Sequence, residues 1–244
     1  MLRSIFLLSL TVHFVSAVPA SAAPPYGKRQ IAAAPVVTIT NGTIRGTVTD
    51  GVEFFNGVPF AVPPTGTNRL TAPKVLQKSF GTVTSVKVPA ACPQFLLQSG
   101  RENLENSIGN LVPALLNNPL VTGVLKWQED CLTLNVQRPA GTTVESKLPV
   151  LFWIYGGGFE LGGTQQYGGD KLIRRSVSLD KPVLFIECNY RVGGYGFLAG
   201  KELAAESATN LGLRDQRLCL QWTQENIAAF GGDPEKVIEK SNIF

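Results

Sequence analysis

The chain has 244 residues, 44% of them hydrophobic and 16% charged, a composition that excludes intrinsic disorder and permits a sizeable core. Its formal net charge is +4, but Arg3, Lys28 and Arg29 have no acidic counterpart before position 30, and without them 19 basic residues face 18 acidic ones. We therefore expect no nucleic-acid partner, because the chain has no lysine and arginine cluster with interleaved aromatic residues.

The N-terminus has the pattern of a secretory signal peptide over residues 1–22. Arg3 supplies a positive start, residues 5–17 are mostly apolar apart from His13, and a small-residue cleavage site follows at residues 20–22. The apolar run is shorter than the roughly 20 residues that span a bilayer, and no later stretch is long enough. We expect a secreted, extracellular protein without a transmembrane anchor.

Two further features accompany secretion. The dibasic pair Lys28-Arg29 indicates a possible propeptide that ends at residue 29, before a folded region over residues 35–244. Asn41-Gly42-Thr43 is an N-glycosylation sequon, so we expect either a glycan on Asn41 or an unused surface sequon.

The first structural elements are predicted to be β-strands. Residues 37–40 alternate β-branched and polar side chains and run into Asn41-Gly42, a strong hairpin signal. Residues 43–48 form the second predicted strand, and residues 52–60 form a third.

Residues 93–130 differ in character from the strands around them. Their leucines recur at roughly helical spacing, with polar residues between them and interruptions at Asn110 and at 117–119. This pattern predicts an amphipathic excursion of broken helices.

The four cysteines are Cys92, Cys131, Cys188 and Cys219, and an oxidising destination permits three complete disulfide pairings among them. Cys188 lies in an apolar strand-like run and Cys219 in a helical one, so buried thiols are expected there. No histidine or cysteine spacing indicates a metal site, and no cofactor is expected.

Two apolar runs, residues 149–155 and 182–190, predict strands of a parallel sheet covered by helices. Between them, residues 170–178 predict a short crossover helix. A longer helix follows and ends at Gly231-Gly232, and a strand begins near Lys236. One face of that longer helix is marked by Leu211, Asp215, Leu218 and Trp222. This alternation indicates an α/β fold.

The turn Gly156-Gly157-Gly158-Phe159 directly follows the first apolar strand. Glycines allow the backbone N–H groups to approach a ligand closely, as in the oxyanion holes of acyl-transfer enzymes. A plain tight turn is the simpler alternative. A phosphate-binding loop is disfavoured, because both the GxGxxG spacing and the GK[ST] ending are absent.

Six segments in order resemble the type-B carboxylesterase/lipase family, which includes cholinesterases and secreted fungal lipases. They are residues 55–61 with Pro63-Pro64, 129–135, 155–159, 189–192 with 196–199, 212–217 and 226–234. Gln137, where the family prefers an apolar residue, is a minor departure. The resemblance implies an α/β-hydrolase fold, truncated here before the nucleophile elbow, and a carboxylic ester hydrolase (3.1.1.-) acting on carboxylic esters or lipids.

The resemblance also assigns roles to individual residues. Gly157 and Gly158 match the two backbone oxyanion donors, and Cys92 with Cys131 matches the first disulfide of the family. The excursion over residues 93–130 resembles a mobile lid that contacts lipid, although a static helical insertion is an equal alternative.

Two ion pairs of the family are also matched. They are Arg69 with Glu129 and Arg191 with Asp215, and in the family both are buried and structural.

No serine of the chain stands in a GxSxG setting. The family pattern would place Gly-Glu-Ser-x-Gly after the strand at Lys236, where Ser241 has unsuitable neighbours and is interpreted as a tail serine. The single histidine is His13, so the nucleophile, acid and base of a Ser-His-Asp/Glu triad cannot all be assigned. We predict that the chain as written is inactive; the alternatives are a non-catalytic cholinesterase-like binding module or a functionless fragment.

Overall fold

Residues 34–85, 89–94 and 127–241 are described by a computed structural model. The predicted signal peptide over residues 1–22, the possible propeptide to residue 29 and residues 95–126 of the predicted excursion lie outside the described residues. Among the described residues, no helix is long and apolar enough to cross a membrane.

In chain order the described strands are β1 (Val36–Ile39), β2 (Gly42–Arg45), β3 (Thr47–Thr49), β4 (Val52–Pro59), β5 (Gly81–Thr84), β6 (Thr133–Pro139), β7 (Leu148–Ile154), β8 (Leu184–Cys188) and β9 (Gly232–Ser241). The described α-helices are α1 (Asp170–Ser178), α2 (Gly193–Phe197), α3 (Lys201–Ala205) and α4 (Leu211–Asn226). Single 3-10 turns lie at Gly66–Asn68, Val144–Ser146, Thr164–Gln166 and Ile227–Phe230.

The predicted hairpin at Asn41-Gly42 is confirmed, because β1 and β2 pair antiparallel with Ile39 opposite Gly42. β5 adds to β2 in parallel, which gives a three-stranded sheet within the described residues. Alternate residues Val37, Ile39 and Ile44 are buried, as the period of a half-buried strand requires.

The prediction of one strand over residues 43–48 is wrong. The chain leaves the small sheet after Arg45, and β3 pairs instead with β4 in the larger sheet. Gly46 lies at the break, where a Cβ atom would stand 2.7 Å from the Phe54 carbonyl oxygen and 2.9 Å from the Phe55 ring. Only glycine permits this close passage of the chain between the two sheets.

The larger sheet of the described residues has the order β3-β4-β6-β8-β7-β9. β7 pairs in parallel with β8, as predicted, and also with β9. The pairs β3–β4, β4–β6 and β6–β8 are antiparallel. The sheet is therefore mixed rather than parallel throughout. β8 is buried along its whole length, whereas β7 alternates buried and partly exposed residues.

The helices cover the larger sheet on opposite faces. α1 has the predicted bounds, and its Ile173 packs with Val52 and Phe185 on one face. α4 buries the predicted residues Leu211, Asp215, Leu218 and Trp222. Its Leu218 and Trp222 belong to the main core on the other face. The 3-10 turn that follows α4 ends at Gly231, whose φ of 84° is left-handed. This confirms the prediction that the helical segment ends at the glycine pair.

β9 begins earlier than predicted but is irregular. Gly232 pairs with Leu148 and Val237 pairs with Val150, so residues 233–236 bulge out of register. The Glu235 N–H donates to Asp233 Oδ1 within this bulge, which forms a local turn at Asp233-Pro234 inside the strand.

Candidate functional site

The glycine turn lies at the carboxyl edge of the parallel strands. β7 ends at Ile154 and β8 at Cys188, and because these strands are parallel the segments that follow them emerge at the same edge. Residues 155–159 and 189–191 therefore lie side by side, at the edge where open α/β sheets bind their ligands.

Three consecutive residues of this turn have left-handed backbone conformations. Their φ angles are 133° for Gly157, 63° for Gly158 and 63° for Phe159. A bulky aromatic residue at positive φ is rare and costs on the order of 1–3 kcal/mol. A strained backbone persists only where the surrounding structure holds it in place, and such residues cluster at functional sites.

The turn is closed around Gly157. Its carbonyl oxygen accepts hydrogen bonds from the N–H groups of Glu160, at 3.1 Å, and Leu161, at 3.2 Å. A Cβ atom on Gly157 would stand 2.0 Å from the Leu161 carbonyl oxygen, so the residue must be glycine. Among the described residues, the N–H groups of Gly157 and Gly158 have no hydrogen-bond acceptor, which leaves both as donors for a ligand.

A pair of buried tyrosines fixes the start of the turn. The Tyr155 hydroxyl donates to the Tyr190 carbonyl oxygen at 2.9 Å, and the Tyr190 hydroxyl donates to the Tyr155 carbonyl oxygen at 2.8 Å. Their rings stack with centroids 4.4 Å apart. Burial raises the pKa of both phenols, so both hydroxyls remain donors and hold the ends of β7 and β8 together.

Asn189 and Gln94 fix the far side of the turn. The Asn189 side chain accepts from the Thr164 N–H at 3.1 Å and donates to the Ala90 carbonyl oxygen at 3.0 Å. Gln94 donates to the carbonyl oxygen of Gly162 and accepts from its N–H. Asn189 lies in one of the matched segments, but the sequence predicted no role for it or for Gln94, because their partners lie at distant positions in the chain.

Cys92 and Cys131 form a disulfide, with Cα atoms 5.0 Å apart. Next to it, Ala91 and Trp127 form a parallel bridge, and the Gln128 N–H donates to the Ala91 carbonyl oxygen. The described ends of the excursion over residues 93–130 therefore meet at one place. Whether its residues 95–126 act as a lid stays a prediction.

A cavity of about 480 Å³ opens beside the turn, lined by residues 158–160, 193–194 and 197–199. The rings of Phe159 and Phe197 lie 4.8 Å apart, and the Gly193 N–H donates to the Phe159 carbonyl oxygen at 2.7 Å. These contacts hold Phe159 in its strained conformation and give the cavity an apolar wall.

Arg191 and Asp215 form an ion pair with side chains 3% and 0% exposed. Arg191 donates from its backbone N–H, Nε and Nη2 to the carboxylate, and from Nη1 to the Thr71 carbonyl oxygen. Burial raises the pKa of Asp215, while these hydrogen bonds oppose the rise. Removing one partner would cost about 3–5 kcal/mol, because the other charge would stay buried alone.

Arg69 and Glu129 also form an ion pair, with Nε and Oε1 in contact at 2.5 Å, but the prediction that it is buried is wrong. The two side chains are 50% and 30% exposed. The hydrogen bond between the two side chains raises the pKa of Arg69 and lowers that of Glu129, and partial desolvation opposes both shifts. Because both groups stay accessible to water, the pair adds little to stability.

A second buried ion pair, Glu53 with Arg138, was not predicted. Its side chains are 10% and 8% exposed, and Arg138 Nε donates to Glu53 Oε2 at 2.6 Å. Arg138 also donates to the Phe230 carbonyl oxygen and lies over the Phe55 ring, with its Cζ 5.0 Å from the centroid. The signal in the sequence was a charged residue at an inward position of each strand.

The sequon asparagine Asn41 and the tail serine Ser241 both lie among the described residues. Asn41 is partly buried, and its Nδ2, the atom that would carry a glycan, donates to the Leu76 carbonyl oxygen at 3.1 Å. Ser241 ends β9, and the part of the chain that the structure describes contains no histidine to activate it. In that same part, no group of three or more histidine, cysteine or acidic residues could hold a metal ion.

Comparison with known proteins is consistent with this geometry. The sequence profile described as "Carboxylesterase family" matches residues 33–238. The chain is 51% identical over 213 residues to "Secreted lipase 1" of Botryotinia fuckeliana (strain B05.10), covering 84% of this chain and 36% of that protein. It is 46% identical over 219 residues to "Secreted triacylglycerol lipase LIP1" of Gibberella zeae (strain ATCC MYA-4620 / CBS 123657 / FGSC 9075 / NRRL 31084 / PH-1), covering 89% of this chain and 36% of that protein.

Among solved structures, the chain is similar to "Crystal Structure of Aspergillus niger EstA", with a TM-score of 0.69 and 30% sequence identity. The match covers 86% of this chain and 36% of that one. The chain thus spans a little over a third of the length of the relatives it matches.

Proposed function

Because the chain belongs to the carboxylesterase family, whose members have the α/β-hydrolase fold, we propose that it forms the oxyanion-binding part of a secreted carboxylic ester hydrolase. The observation that carries this proposal is the turn after β7. It has three consecutive left-handed residues and two donors, Gly157 and Gly158, without an acceptor among the described residues.

Ester hydrolysis passes through a tetrahedral intermediate whose former carbonyl oxygen is negatively charged. In the proposed mechanism, the N–H groups of Gly157 and Gly158 donate to this oxygen and stabilise it. The Tyr155–Tyr190 pair and the Gln94 contacts to Gly162 hold the turn before substrate arrives. The cost of orienting the two donors is therefore met during folding rather than during the reaction.

The 244 residues do not themselves provide a complete catalytic triad. Their single histidine, His13, lies within the predicted signal peptide, and no serine has GxSxG neighbours. We therefore assign no nucleophile, acid or base to this chain and expect the 244-residue polypeptide produced alone to leave esters intact.

We propose acylglycerols or other long-chain esters as the substrate class. The apolar wall beside the turn, formed by Phe159, Phe197 and Leu198, suits an acyl chain next to the oxyanion donors. Two relatives carry the words "secreted lipase" and "secreted triacylglycerol lipase" in their names. Interfacial contact of residues 93–130 with lipid belongs to the same proposal.

Secretion is part of this proposal. Residues 1–22 would be removed as a signal peptide and residues 23–29 as a propeptide, after which Gln30 would be the first residue. A glycan on Asn41 would be compatible only with a conformation in which Nδ2 reaches solvent, since that atom now contacts Leu76.

The proposal is tested by sequencing the transcript past codon 237 and assaying the secreted gene product with p-nitrophenyl butyrate and triolein. We expect a reading frame that continues into Gly-Glu-Ser-x-Gly with a later acid and histidine, and hydrolysis of both esters. The 244-residue polypeptide, assayed beside it, should show no hydrolysis above background. A complete gene product that binds esters without hydrolysing them would instead support the non-catalytic binding module.

A further inference from the structure

A second cavity opens beside the hairpin of β1 and β2. Its volume is about 710 Å³, and it is lined by residues 62–63 and 74–80. It shares no lining residue with the cavity beside the glycine turn, and no step of the proposed mechanism uses it. Its volume falls within the roughly 300–1,000 Å³ that is usual for small-molecule sites.

Hydrogen bonds fix the walls of the second cavity. The Val62 N–H donates to the Lys74 carbonyl oxygen at 2.9 Å. The Asn41 side chain donates to the Leu76 carbonyl oxygen at 3.1 Å, and the Phe80 N–H donates to the Asn41 carbonyl oxygen at 2.8 Å. The lining loop is thus held near both of its ends and in its middle, so the cavity is formed before a ligand arrives.

The walls of the second cavity are mainly apolar. They include the side chains of Val62, Pro63, Val75, Leu76 and Phe80. Phe80 packs against the main core, whereas Val75 is 51% exposed. An apolar ligand that covered Val75 would remove this surface from water, which favours binding.

The charge around the second cavity is positive. Lys74 and Lys78 belong to its lining and are exposed, and no lining residue is acidic. In the sequence, residues 54–101 contain five basic residues and no acidic one. The Lys74 ammonium donates to the neutral Asn68 side chain at 2.7 Å, so its charge is not neutralised by that contact. An anion at the cavity would be attracted by two ammonium groups and repelled by no lining carboxylate.

We propose that the second cavity binds the anion of a long-chain fatty acid, with its carboxylate at Lys74 and Lys78 and its hydrocarbon chain along Val75, Leu76 and Phe80. An apolar cavity with cations in its wall fits a ligand that has one anionic headgroup and one apolar tail. The choice of a fatty acid rests on the proposed function, which releases this anion from a lipid ester. The cavity and its charge do not depend on that function.

The test is a calorimetric titration of the secreted gene product with octanoate, decanoate and dodecanoate, each below the concentration at which it forms micelles. The protein is first treated with an alkyl phosphonate ester, which occupies the cavity beside the glycine turn if the proposed function holds. We expect one bound anion per protein molecule. The Kd should fall by up to about fourfold for each added methylene, because each one buries more apolar surface.

Variants locate the bound anion. Val75→Asp places a carboxylate in the wall of the cavity and should raise the Kd for decanoate about tenfold or more. Its matched control is Val144→Asp, because Val144 is 56% exposed and lies outside the cavity. Lys78→Gln removes one ammonium group and should raise the Kd about threefold to tenfold. Lys181→Gln, at an exposed lysine after α1, should bind decanoate as the parent does.

Any of four results would overturn the proposal. They are an absence of saturable decanoate binding, an unchanged Kd in both Val75→Asp and Lys78→Gln, equal affinity for decanoate and decan-1-ol, and binding to anionic phospholipid vesicles without binding to decanoate. The last result would assign this face to a lipid surface instead. Each can occur in a protein that hydrolyses p-nitrophenyl butyrate, so failure of the second cavity is distinguishable from failure of the proposed function.

Discussion

Replacing Gly157 by alanine is expected to lower kcat for ester hydrolysis by the secreted gene product by about 10²- to 10³-fold, the usual effect of losing an oxyanion donor. The new Cβ would stand 2.0 Å from the Leu161 carbonyl oxygen and 2.9 Å from its carbonyl carbon. Both are backbone atoms that cannot rotate away, so the turn must move and carry its N–H donors with it.

The matched control is Gly141→Ala, at the opposite edge of the sheet. Gly141 also has a left-handed φ, 84°, but no heavy atom lies within 4 Å of the Cβ position. This variant should lose about 1 kcal/mol of stability from the backbone alone and keep the kcat of the parent. A Gly157→Ala variant with unchanged kcat and an unchanged fold would remove the turn from the mechanism.

Glu187 is expected to make the protein less stable as the pH rises from about 5 to 8. Its carboxyl group is buried on the α1 face of the larger sheet, where Oε1 accepts from Asn135 Nδ2 at 3.0 Å and Oε2 has no partner among the described residues. Burial raises its pKa to about 8, and the Asn135 hydrogen bond opposes this rise. The native protein therefore holds a proton that the unfolded chain releases above its ordinary pKa of about 4.5.

The free energy of unfolding falls with rising pH because the native protein binds the proton more tightly than the unfolded chain does. The stabilisation is fully present below about pH 4.5 and is lost as the pH rises through 8, at up to about 1.4 kcal/mol per pH unit. A Glu187→Gln variant keeps a neutral acceptor for Asn135, so its free energy of unfolding should change less with pH and exceed that of the parent at pH 8. Urea unfolding at several pH values measures both.

The exposed Glu145 provides the control for this experiment. Glu145→Gln should leave the difference in stability between pH 5 and pH 8 as it is in the parent. Equal pH dependence in the parent and in Glu187→Gln would mean that Glu187 is charged in the native state.

Local signals predicted the elements of this fold well. The bounds of α1, the hairpin at Asn41-Gly42 and the left-handed glycine at Gly231 follow from the hydrophobic period and from glycine chemistry. The split at Gly46 could not be predicted, because it depends on the Phe54 and Phe55 backbone and ring that pass next to it.

The sequence predicted the site only at the residues that belong to a recognisable motif. The glycine turn was recognisable, whereas the hydrogen bonds that hold it in place were not. Gln94 and Gly162 are 68 positions apart, and Asn189 and Ala90 are 99 apart, so no local pattern links them. The exposure of Arg69 depends likewise on what packs around it and cannot be read from the motif that contains it.

Binding of the oxyanion by the backbone N–H groups of Gly157 and Gly158 can be observed in a crystal structure. The secreted gene product would be crystallised after reaction with an alkyl phosphonate ester, whose phosphonyl oxygen stands in for that oxyanion. We predict this oxygen within about 2.7–3.1 Å of both backbone nitrogens. An oxygen bound by other donors, or a protein that forms no adduct, would show that Gly157 and Gly158 do not form the oxyanion site.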